Sequence, residues 1–212
     1  MSAQRLVLAT RNEHKVHELR QILADLVDEL GLEIVSAAEV DGPDVPETEV
    51  TFEGNARLKA VALAEATGMP AVADDSGLAV DVLGGSPGVF SARWSGTTGG
   101  FGSPRADRDR ANLRLLLEQV SDVGDEHRGA AFVCAAVLAL PDGTADATEG
   151  RVRGSLTREP RGTNGFGYDP IFLVDGDDRT LAEYTDDEKN AVSHRGRAFR
   201  ELAPILRKRL TE

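Results

Sequence analysis

Three consecutive stretches decide the fold class: Ala130-Ala-Phe-Val-Cys-Ala-Ala-Val-Leu-Ala-Leu140, Pro141-Asp-Gly143 and Thr144-Ala-Asp-Ala-Thr-Glu-Gly-Arg-Val-Arg-Gly-Ser-Leu156. The first and third stretches are typical of two long β-strands, and Pro-Asp-Gly is a turn between them. Two strands joined by so short a turn pair as a hairpin, which excludes a purely parallel sheet. Because helical and strand patterns mix along the rest of the chain, we predict an α/β fold with a mixed sheet.

The other elements are predicted from the spacing of apolar residues and from turn residues. Further strands are expected over 6–9 and 33–36, on both sides of a Ser76-Gly77 turn, and over 171–174. One helix is expected from Asn12 or Arg11 to its end at Gly31, and a second over 52–66 behind the cap Thr51. Two more are expected over 107–120 and 193–210.

Composition narrows the classes of protein to which the chain can belong. Its 212 residues are 41% hydrophobic and 28% charged, as in a globular protein with one sizeable core. The net charge of −12 argues against a nucleic-acid polymer as partner, because phosphate backbones repel an acidic surface. The apolar run 130–140 is too short to span a bilayer, and no signal pattern is present. Because Cys134 is the single cysteine, no internal disulfide can form, and we expect a cytoplasmic protein without membrane contact.

Two adjacent aspartates form the first candidate site. Asp74 and Asp75 follow the apolar run 71–73, and Ser76-Gly77 behind them indicates a turn before the next strand. Aspartate is a poor strand former, so the pair indicates either a local Asx-turn or a functional site. The segment alone does not decide between the two. As a site, it offers a metal ligand, a proton acceptor and a backbone that a ligand can approach closely.

Two segments nearer the N-terminus are candidates for binding phosphate and metal. The segment 10–15 lies at a strand-to-helix junction, where N–H groups without helical partners and the charge of Lys15 suit a phosphate. The alternative is an ordinary helix cap by Thr10 or Asn12. Glu47 precedes another helix N-terminus, a position that acidic residues favour for electrostatic reasons alone.

The glycine-rich loop 162–169 is the fourth candidate segment. Phe166 or Tyr168 on this loop offers a stacking face for a base. Donors and acceptors for the edge of the base are Asp169, Lys189, His194 and Arg195, although His194 is equally placed to cap a helix. Together, the four segments outline a site for Mg²⁺, a polyphosphate and a base.

Six strings in a fixed order resemble one known family. They are Leu8-Ala-Thr-Arg-Asn12 with Lys15, Thr51-Phe-Glu-Gly-Asn-Ala56, Ala73-Asp-Asp-Ser-Gly-Leu-Ala-Val-Asp81, Pro87-Gly-Val-Phe-Ser-Ala-Arg93, Gly165-Phe-Gly-Tyr-Asp-Pro170 and Ser193-His-Arg-Gly196. They are similar to the motifs of the inosine/xanthosine triphosphate pyrophosphatase family, which removes deaminated purine nucleotides from the nucleotide pool. The resemblance covers nearly the whole chain, and its central and C-terminal motifs are long and distinctive.

The resemblance implies a fold, an activity and a set of partners. The fold would be an elongated, two-lobed mixed α/β structure with the active-site cleft between the lobes, and residues 1–212 would form one pyrophosphatase domain. The activity would be Mg²⁺-dependent hydrolysis of ITP, dITP or XTP to the monophosphate and pyrophosphate. Family members are usually homodimers, so a homodimer is expected.

The resemblance also implies roles for particular residues. The phosphate-binding loop corresponds to Thr10, Arg11, Asn12, Glu13, His14 and Lys15. Asp75 would be the proton acceptor and a metal ligand, Ser76 would contact the substrate, and Glu47 would be a second metal carboxylate. Contacts to base and sugar correspond to Phe166, Gly167, Tyr168, Asp169, Lys189, His194 and Arg195. His194 and Arg195 are the candidate donors to the 6-oxo group that distinguishes these substrates from adenine nucleotides.

Several alternatives stay open. Arg11 stands where many relatives have glycine, so phosphate binding here would depend more on a side chain. Glu49 lies two residues from Glu47, and either carboxylate can be the metal ligand. The loop 96–105 has no assigned role. As a whole, the chain can also be a sister pyrophosphatase for pyrimidine or modified nucleotides, or a nucleotide sensor without catalysis.

Overall fold

The sheet contains both parallel and antiparallel strand pairs. The computed structural model describes residues 4–96 and 104–211. In these ranges six strands form one sheet in the order β2-β1-β3-β4-β5-β6. β1 is parallel to β2 and β3, whereas β6 is antiparallel to β5, which confirms the predicted mixed α/β class. The strands are β1 Gln4–Leu8, β2 Leu32–Ser36, β3 Ala71–Val80, β4 Gly129–Ala139, β5 Ala145–Leu156 and β6 Phe172–Val174.

Six α-helices are present in the part of the chain that the structure describes: α1 Glu13–Ile22, α2 Ala24–Leu30, α3 Phe52–Thr67, α4 Arg105–Gln119, α5 Asp186–Val192 and α6 His194–Thr211. Caps fix several of their ends as predicted. The Thr51 hydroxyl accepts a hydrogen bond from the Gly54 N–H at the start of α3, and Asn12 caps α1 in the same way. No helix among these six is long and apolar enough to cross a membrane.

The sequence-based prediction was wrong about two helical regions. The single helix expected from residue 12 to Gly31 is two helices, because the backbone at Leu23 leaves helical geometry between α1 and α2. Gly31 ends the second of them in the left-handed conformation, as expected. Helix α5 was not predicted, although Thr185 and Glu188 form a capping box at its start.

The Asp74-Asp75 segment is also different from the prediction. No turn occurs at Ser76-Gly77, and β3 continues without interruption from Ala71 to Val80. Both aspartates therefore lie inside a strand rather than at its end. A buried strand tolerates them because cations and an amide on other elements compensate the two carboxylates.

Two compact units divide the chain. The first comprises Met1–Asp75, Cys134–Gly150 and His194–Glu212, and the second comprises Ser76–Val133 and Arg151–Ser193. In the first unit, one apolar cluster contains Leu6, Leu19 and Phe199, and another joins the alanines of α3 to Val7 and Val137. The second unit has its own core, which includes Val152, Tyr168 and Phe172. Each unit thus buries apolar surface of its own.

The hairpin that decided the predicted fold class is present. β4 and β5 are neighbours in the sheet, and the Leu140 N–H donates to the Thr144 carbonyl across the turn. Gly143 has a φ of 86°, a conformation that side chains other than glycine rarely adopt. The Asp142 carboxylate accepts from the Thr144 N–H, which closes the turn.

Candidate active site

Asp74 is the centre of a buried ion-pair network in the first unit. Its side chain has no exposed surface, and Oδ2 lies 2.9 Å from Lys15 Nζ. Nε and Nη2 of Arg195 each donate to the same oxygen at 3.1 Å. The Arg195 side chain is only 2% exposed, and its Nη1 also donates to Glu18. Asp74 therefore joins the start of α1, the strand β3 and the start of α6.

The charge state of Asp74 follows from these contacts. Burial alone would raise the pKa of the carboxyl group, but the charges of Lys15, Arg195 and Lys59 outweigh burial and hold the pKa well below its ordinary value. Asp74 is consequently ionised throughout the physiological pH range. A carboxylate so firmly compensated is a poor proton acceptor and a good structural anchor.

Asp75 has a different environment, although it is the next residue. The Asn55 Nδ2 donates to Asp75 Oδ2 at 3.1 Å, and Lys59 Nζ lies 3.8 Å from Oδ1. Burial raises the pKa of Asp75; the charge of Lys59 partly offsets this increase, and the Glu47 carboxylate adds to it. The pKa is therefore displaced upward, in the direction that makes a carboxylate a better proton acceptor.

Asn55 and Lys59 are two residues of this cluster that the sequence analysis did not identify. Lys59 Nζ donates to Glu47 Oε1 at 2.9 Å and to the Asp74 carbonyl at 2.8 Å. Both residues lie on α3, four positions apart, so they are on the same face of the helix. In the sequence, an asparagine and a lysine at this spacing are the polar signal, and their role becomes visible once β3 is seen beside α3.

Glu47 and Asp75 are the residues that could hold a metal ion. Their carboxylates both face the Lys59 ammonium group, at 2.9 Å and 3.8 Å, so they already share one cation. Hard carboxylate oxygens suit Mg²⁺, which commonly takes one or two carboxylates and completes its shell with water and phosphate. Among the described residues no group of three or more His, Cys, Asp or Glu could enclose a metal. Two carboxylates as the protein's share of the ligands would match this pattern of Mg²⁺ coordination.

The predicted phosphate loop lies between β1 and α1. Asn12 Oδ1 accepts from the His14 N–H at 3.2 Å and caps α1, while the Thr10 hydroxyl accepts from the Asn12 N–H ahead of the helix. Arg11 is exposed and donates to the Gly42 carbonyl. Glu13 and His14 are exposed in the first turn of α1, and Lys15 is the member of the segment that reaches Asp74.

In the second unit, Phe166, Asp169 and Lys189 form a compact group. Asp169 Oδ2 accepts from the Phe166 N–H at 2.8 Å and lies 2.9 Å from Lys189 Nζ. The same ammonium nitrogen is 4.9 Å from the centre of the Phe166 ring. Lys189 is buried in α5, so the loop and this helix are joined through one ion pair.

The other predicted residues are distributed as follows. Tyr168 is buried in the core of the second unit and donates to the Ser91 carbonyl at 3.0 Å, so Phe166 is the aromatic side chain that a base could reach. Gly167 follows Phe166 in the left-handed conformation, and Ser76 is half-buried in β3 directly after Asp75. His194 is buried at the first position of α6.

The loop conformation at Gly165 yields a stability prediction. Gly165 has a φ of 74°, and a Cβ there would lie 2.2 Å from Asp169 Oδ2. Gly167 has a similar φ of 65° but open space around the added carbon. We expect Gly167→Ala to lower the free energy of unfolding by about 1 kcal/mol through backbone strain, and Gly165→Ala by roughly 2–4 kcal/mol because it also displaces Asp169. Urea denaturation measures both, and equal losses would contradict the clash.

Comparisons with known proteins agree with this architecture. A family model described as "Ham1 family" matches residues 6–205. A Streptomyces avermitilis protein named "dITP/XTP pyrophosphatase" is 61% identical over 207 residues, which cover 97% of this chain and 98% of the relative. A similar relative of the same name from Frankia alni is 58% identical, with 98% of this chain and 99% of the relative covered.

Solved structures give the same result for the fold. A HAM1 protein from Coxiella burnetii has a TM-score of 0.83 at 39% identity, covering 97% of this chain and 99% of its own. The crystal structure of a nucleoside-triphosphatase, dITP/XTP pyrophosphatase, from Mycobacterium abscessus has a TM-score of 0.73 at 50% identity, covering 95% of this chain and 100% of its own. By sequence over nearly its full length and by fold, this chain belongs to the Ham1 family.

Proposed function

We propose that the chain hydrolyses the deaminated purine nucleoside triphosphates ITP, dITP and XTP to the monophosphate and pyrophosphate, with Mg²⁺ as cofactor. The observation that carries this proposal is the contrast between two adjacent aspartates: Asp74 is bound by Lys15 and Arg195, whereas Asp75 accepts from the Asn55 amide and lies 3.8 Å from Lys59. Two carboxylates whose environments separate their pKa values divide the roles of anchor and base between them. The activity named for the similar proteins from Streptomyces avermitilis and Frankia alni supports the same reaction.

The residues of the first unit account for the chemistry on the phosphates. Asp75 accepts a proton from the water whose oxygen bonds to the α-phosphorus, and the bond from that phosphorus to the bridging oxygen breaks to release pyrophosphate. Lys15 and Lys59 supply positive charge near the general base Asp75, and the exposed start of α1 offers N–H groups to a phosphate. Mg²⁺, held by Glu47 and Asp75, would supply neutralisation of the polyphosphate charge.

The residues of the second unit account for binding of a purine. Phe166 offers its ring for stacking, while Asp169 and Lys189 fix the loop that presents it. His194 and Arg195, which belong to the first unit, are also in the proposed substrate set, but the ion pairs and burial of Arg195 favour a role in holding Asp74 over direct contact with the purine.

Three broader proposals accompany the reaction. We propose that residues 1–212 act as one pyrophosphatase domain, because the similarity to a protein named dITP/XTP pyrophosphatase extends over 97% of the chain. A cytoplasmic location is consistent with a substrate drawn from the nucleotide pool. A homodimer is proposed from the resemblance to a family whose members are usually homodimers, and light scattering on the purified protein would test it.

The test of the reaction is pyrophosphate release from a panel of ITP, XTP, dTTP, UTP and ATP, with Mg²⁺ and with a chelator. We expect release from ITP and XTP to exceed release from the other three, and the chelator to abolish it. Preference for dTTP or UTP would instead identify the sister pyrophosphatase for pyrimidine nucleotides. Binding of ITP without release of pyrophosphate would identify a nucleotide sensor.

Replacing Glu47 by Gln tests which carboxylate holds the metal. Glu47 faces the Lys59 cation beside Asp75, whereas the backbone N–H of the exposed Glu49 donates to Asn55. We expect Glu47→Gln to raise the Mg²⁺ concentration for half-maximal activity by about tenfold or more, and Glu49→Gln to leave it unchanged. Magnesium titrations of pyrophosphate release provide the measurement, and a larger shift for Glu49→Gln would reverse the assignment.

A further inference from the structure

Two cations lie against the ring of Phe166 in the second unit. The ammonium nitrogen of Lys189 is 4.9 Å from the ring centre, and the guanidinium carbon of Arg105 is 5.4 Å from it. Both distances are within the range of a cation–π interaction. An arginine therefore occupies aromatic surface that a stacked purine would use.

The position of Arg105 gives it little other stabilisation. It is the first residue of α4, where the positive end of the helix dipole disfavours a cation. Its Nε lies 3.6 Å from Asp109 Oδ2, a long ion pair, and its side chain is 38% exposed. The guanidinium can consequently change partners at small cost.

Arg105 is more accessible than the other cations assigned to base recognition. Lys189 is 4% exposed and bound to Asp169, and Arg195 is 2% exposed and bound to Asp74 and Glu18. Those two ion pairs are buried, so redirecting either cation toward a base would strand a buried carboxylate.

The chemistry of the guanidinium suits an oxopurine. Arginine has five N–H donors and no acceptor, so it can bond the carbonyl oxygens of hypoxanthine and xanthine but not the exocyclic amine of adenine. When a guanidinium and a purine base both stack on the same aromatic ring, they lie side by side in one plane. The guanidinium N–H groups then point at the edge of the base.

We propose that Arg105 is a specificity-determining residue, which covers Phe166 in the free protein and donates to a carbonyl oxygen of the stacked oxopurine. The inference rests on the proposed function, because it names the group that selects the base for that reaction. Arg105 then selects the 6-oxo group, for which His194 and Arg195 are the candidates predicted from the sequence.

The experiment compares Arg105→Ala, Arg105→Lys and the control Arg114→Ala. Arg114 lies on the same helix and forms a matching ion pair with Glu118, also at 3.6 Å and four residues apart, but it is 70% exposed. The measured quantity is the ratio of kcat/KM for ITP to that for ATP. We expect Arg105→Ala to lower this ratio about tenfold through a higher KM for ITP, Arg105→Lys to restore part of it, and Arg114→Ala to leave it unchanged.

Calorimetric binding of IMP and AMP separates this inference from the proposed reaction. If the wild-type protein releases no pyrophosphate from ITP, the proposed function fails, and the IMP-to-AMP affinity ratio alone then tests Arg105. A fall of about tenfold in that ratio for Arg105→Ala supports the inference. If Arg105→Ala keeps the wild-type IMP-to-AMP affinity ratio, and circular dichroism shows that the variant is folded, the inference about Arg105 is overturned.

Discussion

Replacing Asp75 by Asn is expected to lower kcat for ITP hydrolysis by about 10³-fold, within the range of roughly 10²–10⁴ that a general base contributes. Asparagine keeps the shape of the side chain but has no lone pair basic enough to accept the proton of the attacking water. Asn55 and Lys59, which contact Asp75, remain in place to hold the segment. Binding of IMP should therefore change far less than turnover.

The matched control for this variant is Asp81→Asn. Asp81 directly follows β3, and its carboxylate forms an exposed ion pair with Arg153. We expect Asp81→Asn to retain wild-type kcat, because its carboxylate has no part in the cluster around Asp75. Steady-state kinetics of both variants decide the matter. Turnover by Asp75→Asn within tenfold of the wild type would remove Asp75 from the role of base.

Asp74→Ala is expected to produce the largest loss of stability. Removing one partner of a buried ion pair leaves the others without a counter-charge, which costs about 3–5 kcal/mol. Here Lys15 and Arg195 would both lose the oxygen that they share, and Arg195 is almost wholly buried. Because a whole domain is stable by only about 5–15 kcal/mol, this loss would be a large share of the total.

Urea denaturation of Asp74→Ala and Asp146→Ala measures the effect of burial on such a pair. Asp146 pairs with Arg209 at 2.9 Å in the same unit, but both side chains are about one-third exposed. We expect Asp146→Ala to lower the free energy of unfolding by about 0–1 kcal/mol. Equal losses in the two variants would show that Asp74 is not the anchor of the first unit.

Local chemistry explains which parts of the fold were predictable from the sequence. The Thr51 cap, the Gly31 stop and the Pro141-Asp-Gly143 turn depend on neighbouring residues alone, and the structure has all three. The uninterrupted β3 was not predictable in this way. Aspartate disfavours a strand locally. The cations that compensate Asp74 are Lys15 and Arg195, which are 59 and 121 positions away from it in the sequence.

The same distinction between neighbouring and distant residues explains which parts of the candidate site were predictable. Asp75, Glu47 and Lys15 were chosen from motifs, and the structure brings each of them into a charged cluster. Asn55 and Lys59 were missed because their motif reads as an ordinary alanine-rich helix until β3 is known to pack beside it. Tyr168 is one of the two aromatic residues that the sequence predicts for stacking, but the structure buries it in the core, where it donates to the Ser91 carbonyl.

The predicted loop over residues 96–105 lies mostly outside the described residues, which end at 96 and resume at 104. Its C-terminal residue is described, however, and it is the one that contacts Phe166. No motif indicated this contact, because the two residues are distant in the sequence. The tertiary fold alone reveals that Arg105 and Phe166 meet.

The products formed from ITP test the proposed reaction at the α-phosphorus. Incubation of the wild-type protein with ITP and Mg²⁺, followed by chromatography of the nucleotides and a pyrophosphate assay, measures which bond breaks. We predict IMP and pyrophosphate in equal amounts, because the base Asp75 acts on water at the α-phosphorus. IDP with inorganic phosphate, or intact ITP, would contradict the proposed reaction.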